Sequence, residues 1–189
     1  MVGRARYDTL AASAATGNIR GLCLDVDGVL TDGRLFVDDS GGGARVFYVQ
    51  DGLALRWFQR LGGIVVFCSG KTSGAVAARA RELHVDHVIQ GCRDKIADLE
   101  PLLARLGLAW AELAAIGDDL PDVPVLRRCG FPIAVANAVD EVKAAARLVT
   151  QKPGGHGAVR EAVEYLLRQS GRWVEVLAHY GIAGPAPAE

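Results

Sequence analysis

Short apolar runs alternate along the chain with longer stretches in which apolar residues recur every three or four positions. Residues 22–26, 64–67, 87–89, 113–116, 132–135 and 147–149 read as strands, and 51–61, 73–83, 94–107, 122–129, 139–146 and 157–169 read as helices. Strands that each lead into a helix predict an α/β fold: a parallel sheet with helices on both faces. One interruption stands between the first strand and the first helix. Two short β-like runs, 34–37 and 44–48, flank a loop at 38–43 made of Asp, Ser and Gly. That composition predicts a β-hairpin over 34–48, projecting as a flap from the edge where the first strand ends.

The chemistry gathers at strand ends. The first run reads Leu22-Cys23-Leu24-Asp25-Val26-Asp27-Gly28-Val29-Leu30-Thr31, so two carboxylates follow a buried strand and precede a glycine turn. In open α/β sheets this carboxyl edge is where ligands bind. Two buried acids so close together call for a cation. Ser69-Gly70 ends the second run, Lys95 opens a helical stretch, and Gly117-Asp118-Asp119-Leu120-Pro121-Asp122 follows the fourth run.

In set and order these pieces resemble the haloacid dehalogenase superfamily of phosphotransferases. The superfamily pattern is DxDGxxT, a Ser or Thr after a strand, a Lys, and a late acidic cluster. The resemblance implies a Rossmann-like α/β domain in which Asp25 attacks phosphorus to form an aspartyl phosphate. Splitting a hard displacement into two easier steps is what such a nucleophile provides. It also implies that Asp27 protonates the leaving oxygen and then activates water. Ser69 would hold a phosphate oxygen and Lys95 would neutralise charge. Mg²⁺ is the implied cofactor, held by Asp25, the Asp27 carbonyl and Asp118, with Asp119 reaching it through water and Asp122 orienting the shell. A 34–48 hairpin leaves no room for a cap domain, so the site is capless. A neighbouring subunit is the expected wall.

Further segments narrow the resemblance to the 3-deoxy-D-manno-octulosonate 8-phosphate phosphatases. They are Asn18-Ile19-Arg20, Phe47-Tyr48-Val49-Gln50-Asp51-Gly52, Gln90-Gly91 and Pro153-Gly154-Gly155-His156-Gly157-Ala158-Val159-Arg160-Glu161, and the likeness runs over about residues 18–180. That family implies a homotetramer that dephosphorylates an eight-carbon 2-keto-3-deoxy sugar acid on the way to lipopolysaccharide. Its substrate also carries a carboxylate. Asp51, Gly52, Arg56, Gly70, Lys71 and Arg79 are the matching candidates for holding it. Two positions depart from the pattern: Lys71 and Gln50 stand where the family carries Arg. A nine-carbon sialic-acid-type 9-phosphate is the alternative substrate, and a non-catalytic regulatory or assembly module is the alternative class.

Composition constrains partners. With 50% hydrophobic residues over 189 positions the chain supports one substantial core, read as one domain over 1–189 with an extension at 1–20 and a tail at 170–189. The net charge of −1 gives no basic excess to draw nucleic acid or an anionic membrane. No apolar run reaches the length of a membrane span, and residues 1–20 lack the continuous apolar segment of a signal peptide, so a cytoplasmic protein is expected. Cys23, Cys68, Cys92 and Cys129 form no CxxC pair and read as reduced, buried thiols. The histidines His84, His87, His156 and His179 are not expected to act in catalysis. Residues 172–180 are amphipathic and aromatic, fit either to pack on their own domain or to meet another subunit, and 184–189 reads as a disordered end.

Overall fold

The computed structural model describes residues 18–37, 39 and 43–182. The stretch before residue 18, most of the hairpin loop and the end at 184–189 lie outside the described residues. Six parallel strands form the main sheet: β1 (Gly21–Leu24), β4 (Ile64–Ser69), β5 (His87–Gln90), β6 (Leu113–Gly117), β7 (Phe131–Ala134) and β8 (Leu148–Val149). Their order is β5-β4-β1-β6-β7-β8. The chain first builds outward from β1 on one side, then returns to β1's other side with β6. The order therefore reverses beside β1, the place where such sheets open a crevice.

Every residue of β1 and β6 is buried, because both faces of the sheet are covered by helices. The helices are α1 (Val49–Arg60), α2 (Gly74–Glu82), α3 (Lys95–Leu106), α4 (Val123–Arg128), α5 (Asp140–Ala145), α6 (Ala158–Gln169) and α7 (Trp173–His179). Helix α1 packs against α6, while α3, α4 and α5 pack in sequence with one another. Leu22, Leu24, Phe67, Leu113 and Phe131 anchor one continuous core. All four cysteines are free, three buried and Cys129 half-buried.

The expected strands of the main sheet and the helices recur with their ends moved by at most two residues. The expected helix 122–129 becomes the short α4, preceded by a tight turn at Leu120–Asp122, with Pro121 in the turn and Pro124 in the first turn of the helix. The hairpin strands are only β2 (Phe36–Val37) and β3 (Gly43–Ala44), antiparallel and exposed. An isolated two-stranded ribbon without a packed face has little to lengthen it. The aromatic segment of the tail becomes α7 and packs on its own domain. The Trp57 indole N–H donates to the Tyr180 hydroxyl at 3.0 Å, and Trp173 meets Trp57 edge to face at 5.4 Å. Among the described residues no helix is long and apolar enough to cross a membrane.

Candidate active site

The end of β1 is tied directly to β6, since the Asp25 N–H donates to the Ile116 carbonyl at 3.1 Å. The chain then turns sharply. Gly28 has φ 114, and a Cβ there would lie 2.0 Å from Asp118 Oδ2, so only glycine lets the two acidic loops approach. Thr31 locks the turn: its buried hydroxyl accepts from the Gly28 and Gly33 N–H groups and donates to the Val26 carbonyl, each at 3.3 Å. The glycine-rich stretch before α6 braces it from behind. The Gly155 N–H donates to the Val29 carbonyl at 2.9 Å, and a Cβ on Gly154 would sit 1.7 Å from the Gly28 carbonyl oxygen.

Lys95, at the first turn of α3, is buried between two acids. Its ammonium donates to Asp25 Oδ1 and Asp122 Oδ1, both at 2.6 Å. Burial disfavours this charge, but Asp122 and Asp25 together outweigh it and hold the ammonium protonated well above the ordinary lysine range. The other oxygen of Asp122 accepts from the Asp118 and Asp119 N–H groups at 2.9 and 3.3 Å, so one side chain positions both the lysine and the acidic loop. Asp119 is exposed and caps the Leu120 N–H at 2.7 Å.

Asp25, Asp118 and Asp122 bring ligand atoms within 4.8 Å of one another. Asp122 is already engaged through both oxygens, which leaves Asp25 and Asp118 to face a cation. Burial pushes Asp118 up to about 7, with repulsion from Asp25, Asp122 and Asp119 adding to it. Burial likewise raises Asp25 to about 6 against the pull of Lys95. Two desolvated carboxylates short of positive charge are what a hard divalent cation relieves, and an all-oxygen donor set suits Mg²⁺. The residues present thus fit the metal.

Asp27 points elsewhere. Its carboxylate takes a two-point contact from Arg45, at 2.6 Å from Nε and 3.3 Å from Nη2, while Nη1 of the same guanidinium donates to Ser73 Oγ at 2.7 Å. Arg45 lies just after β3, so the flap reaches Asp27 directly. Sequence reasoning missed this residue, because an arginine in a β-like leg reads as an ordinary outward-facing position. Ser69 is buried at the end of β4 and accepts from the Lys71 N–H at 3.2 Å. Asp25, Asp27, Ser69, Gly70, Lys71, Lys95, Asp118, Asp119 and Asp122 all line one cleft of about 820 Å³, together with Arg93.

Four candidates for substrate binding are placed outside that cleft. Asp51 is 1% exposed and caps the start of α6, accepting from the Gly157 and Arg160 N–H groups at 3.2 and 2.7 Å. Gly52 leaves room for the Arg79 guanidinium, which a Cβ would meet at 2.3 Å. Arg79 pairs with Glu82 at 2.8 Å and lies over the Phe47 ring. Arg56 donates to the Leu83 carbonyl at 3.1 Å and borders a separate hollow with Ile64 and Val65, at the amino end of β4. These side chains hold α1, α2 and α6 together.

Residues 77–162 match the haloacid dehalogenase-like hydrolase family. The 3-deoxy-D-manno-octulosonate 8-phosphate phosphatase of Escherichia coli K12 is 37% identical over 159 residues, covering 84% of this chain and 85% of that protein. The chain belongs to this phosphatase family within the haloacid dehalogenase-like hydrolases. Solved structures of the family agree with the fold. The Moraxella catarrhalis phosphatase, in complex with magnesium ion, phosphate ion and KDO, is 37% identical with a TM-score of 0.87 over 90% of this chain and 98% of that one. The cobalt-bound Haemophilus influenzae phosphatase is 34% identical with a TM-score of 0.83 over 87% and 97%.

Proposed function

We propose that this protein is a Mg²⁺-dependent phosphatase that hydrolyses 3-deoxy-D-manno-octulosonate 8-phosphate through an aspartyl phosphate on Asp25. The observation that carries the reading is the Asp25 carboxylate, held at 2.6 Å by Lys95 at the mouth of β1 and short of positive charge beside Asp118. Lys95 fixes one oxygen of Asp25 and leaves the other to attack phosphorus. The Ser69 hydroxyl and the N–H groups after it receive a phosphate oxygen. Asp27, freed from Arg45, gives a proton to the departing sugar oxygen and later takes one from the water that cleaves the aspartyl phosphate. Asp25 and Asp118, with the Asp27 carbonyl, would hold Mg²⁺, which neutralises charge between the nucleophile and the phosphate.

The proposal extends to assembly. Phe36, Val37 and Val46 are 60%, 71% and 62% exposed around the hairpin, apolar surface that another subunit would cover in a homotetramer. The whole chain then acts as one domain, in the cytoplasm, with no nucleic-acid or membrane partner. Light scattering tests the oligomer.

Phosphate release with Mg²⁺ tests the chemistry, run on the eight-carbon 8-phosphate, a nine-carbon keto-deoxy acid 9-phosphate and glucose 6-phosphate, with Asp25→Asn as the blank. Preference for the first, lost in the variant, is the expected result. Preference for the nine-carbon acid would overturn the assigned sugar. Release that does not depend on Asp25 would overturn the mechanism, and no release from any of the three would favour a non-catalytic module.

A further inference from the structure

We propose that Cys23 and Cys68 hold a soft cation of the Cu⁺ class directly behind Asp25, with Cys92 as its entry point from the catalytic cleft. The three thiols come from separate segments, and the sheet brings them into one row. Cys23 pairs with Val66 across β1 and β4, so Cys68, two residues further along β4, points to the same face. At the end of β4 the Cys92 N–H donates to the Ser69 carbonyl at 3.1 Å, next to Cys68. The Cys68 thiol interacts with both the Cys23 and the Cys92 thiols. Cys129 follows α4 instead, and its thiol donates to the Leu126 carbonyl at 3.4 Å.

The two ends of the row differ in a useful way. Cys92 lines the large cleft and gives the row a way in. Cys23 and Cys68 line a separate void of about 10 Å³, with Asp25, Lys95, Asp122 and apolar side chains of β6 and α4 as its other walls. A void of that size takes about one water-sized body. When the ion is bound it forms two bonds to sulfur, the two thiol protons leave to water, and no oxidation state changes. Two thiolates around one monovalent cation carry one net negative charge. Lys95 supplies the countercharge, since its ammonium already favours negative charge at Cys68.

The donor set selects the ion. Sulfur ligands favour soft metals. Among the described residues the group of three metal-ligating side chains converging within 4.8 Å is Asp25, Asp118 and Asp122. The thiols therefore offer a pair, short of the four ligands of a structural Zn²⁺ site, and a pair suits Cu⁺. Oxidation is the poorer use of the row. Contact with Cys23 and burial push the Cys68 thiol well above the ordinary cysteine range, burial raises Cys92 likewise, and peroxides attack thiolates. Loading has a consequence for the neighbouring site. The new negative charge competes for the Lys95 ammonium, which otherwise holds Asp25 at 2.6 Å.

Silver ion, a redox-stable cation of the same class, is the probe, added to the full-length protein in chloride-free buffer. Dialysis against excess histidine strips ions held by single side chains, and native mass spectrometry then counts those that remain. The expected result is a single Ag⁺ per chain in the parent and in Cys129→Ala, and none in Cys68→Val or Cys23→Ala. Melts of the metal-free variants show whether each is folded, so a defect in one strand leaves the other variant to decide. Phosphate release, each protein against its own metal-free rate, should fall about tenfold or more in the loaded parent and stay within about twofold in Cys68→Val. A parent that retains no Ag⁺, retention that survives both folded variants, or retention lost in Cys129→Ala would overturn the site. Retention without loss of phosphate release would overturn the link to Lys95. The ion count is independent of the function proposed above, so a chain without phosphatase activity would overturn that function and leave the site standing.

Discussion

Removing the Asp118 charge separates what the site does for the fold from what it does for the metal. In the metal-free protein Asp118 is raised from 3.8 to about 7, first by burial and then by neighbouring acids. The folded state therefore binds this proton more tightly than the unfolded chain does. Its contribution to stability is full below about pH 4 and is lost as pH climbs to about 7. At about 1.4 kcal/mol per tenfold change in proton affinity, the span is about 4 kcal/mol, and the partial solvent access of Asp118 reduces it to about 2 kcal/mol. Asp118→Asn keeps the shape and removes the charge. At pH 8 without metal the variant should melt about 4–8 °C above the parent, an advantage that shrinks toward nothing near pH 4.5. Mg²⁺ reverses the comparison, because binding at a hundredfold excess over Kd stabilises the parent by about 2.7 kcal/mol and the variant hardly at all. Calorimetric melts at the two pH values, with and without Mg²⁺, measure all four states. A variant less stable than the parent at pH 8 without metal, or one equally stabilised by Mg²⁺, would refute the reasoning.

Other side chains carry distinct expectations. Lys95→Met leaves Asp25 and Asp122 buried without their shared cation, so denaturant melts should show a loss of about 3 kcal/mol and phosphate release should fall by about a hundredfold or more. Asp51→Ala leaves two N–H groups at the start of α6 unsatisfied and should cost about 2–4 kcal/mol, while the KM for substrate stays within twofold. A large rise in KM would instead put Asp51 in the substrate site. Gly154→Ala forces a methyl group toward the Gly28 carbonyl, so it should lower the melting temperature and the Mg²⁺-dependent rate together. A variant with normal stability and rate would mean that the brace is not needed.

The sheet was legible because each strand is a short apolar run ended by a residue that the fold uses. Asp25, Ser69 and Asp118 follow strands that become neighbours, so their meeting at one edge follows from strand order alone. Lys95 was legible as a candidate for the site, and the structure places its ammonium between Asp25 and Asp122. The roles of Asp51, Arg56 and Arg79 were not legible, because they depend on which helix ends meet across the fold. Asp51 at the start of α1 caps the start of α6 across more than a hundred residues, a contact that no local pattern encodes. Arg45 was hidden for the opposite reason. Its segment looks like a plain β leg, and only the fold of the flap over the β1 turn brings it to Asp27.

Acid quenching during turnover of 3-deoxy-D-manno-octulosonate 8-phosphate with Mg²⁺, followed by mass analysis of the digested protein, tests the central claim most directly. The account predicts a phosphorylated peptide containing Asp25, absent from Asp25→Asn, which also releases no phosphate. Turnover that persists in Asp25→Asn, or label on a peptide without Asp25, would contradict it.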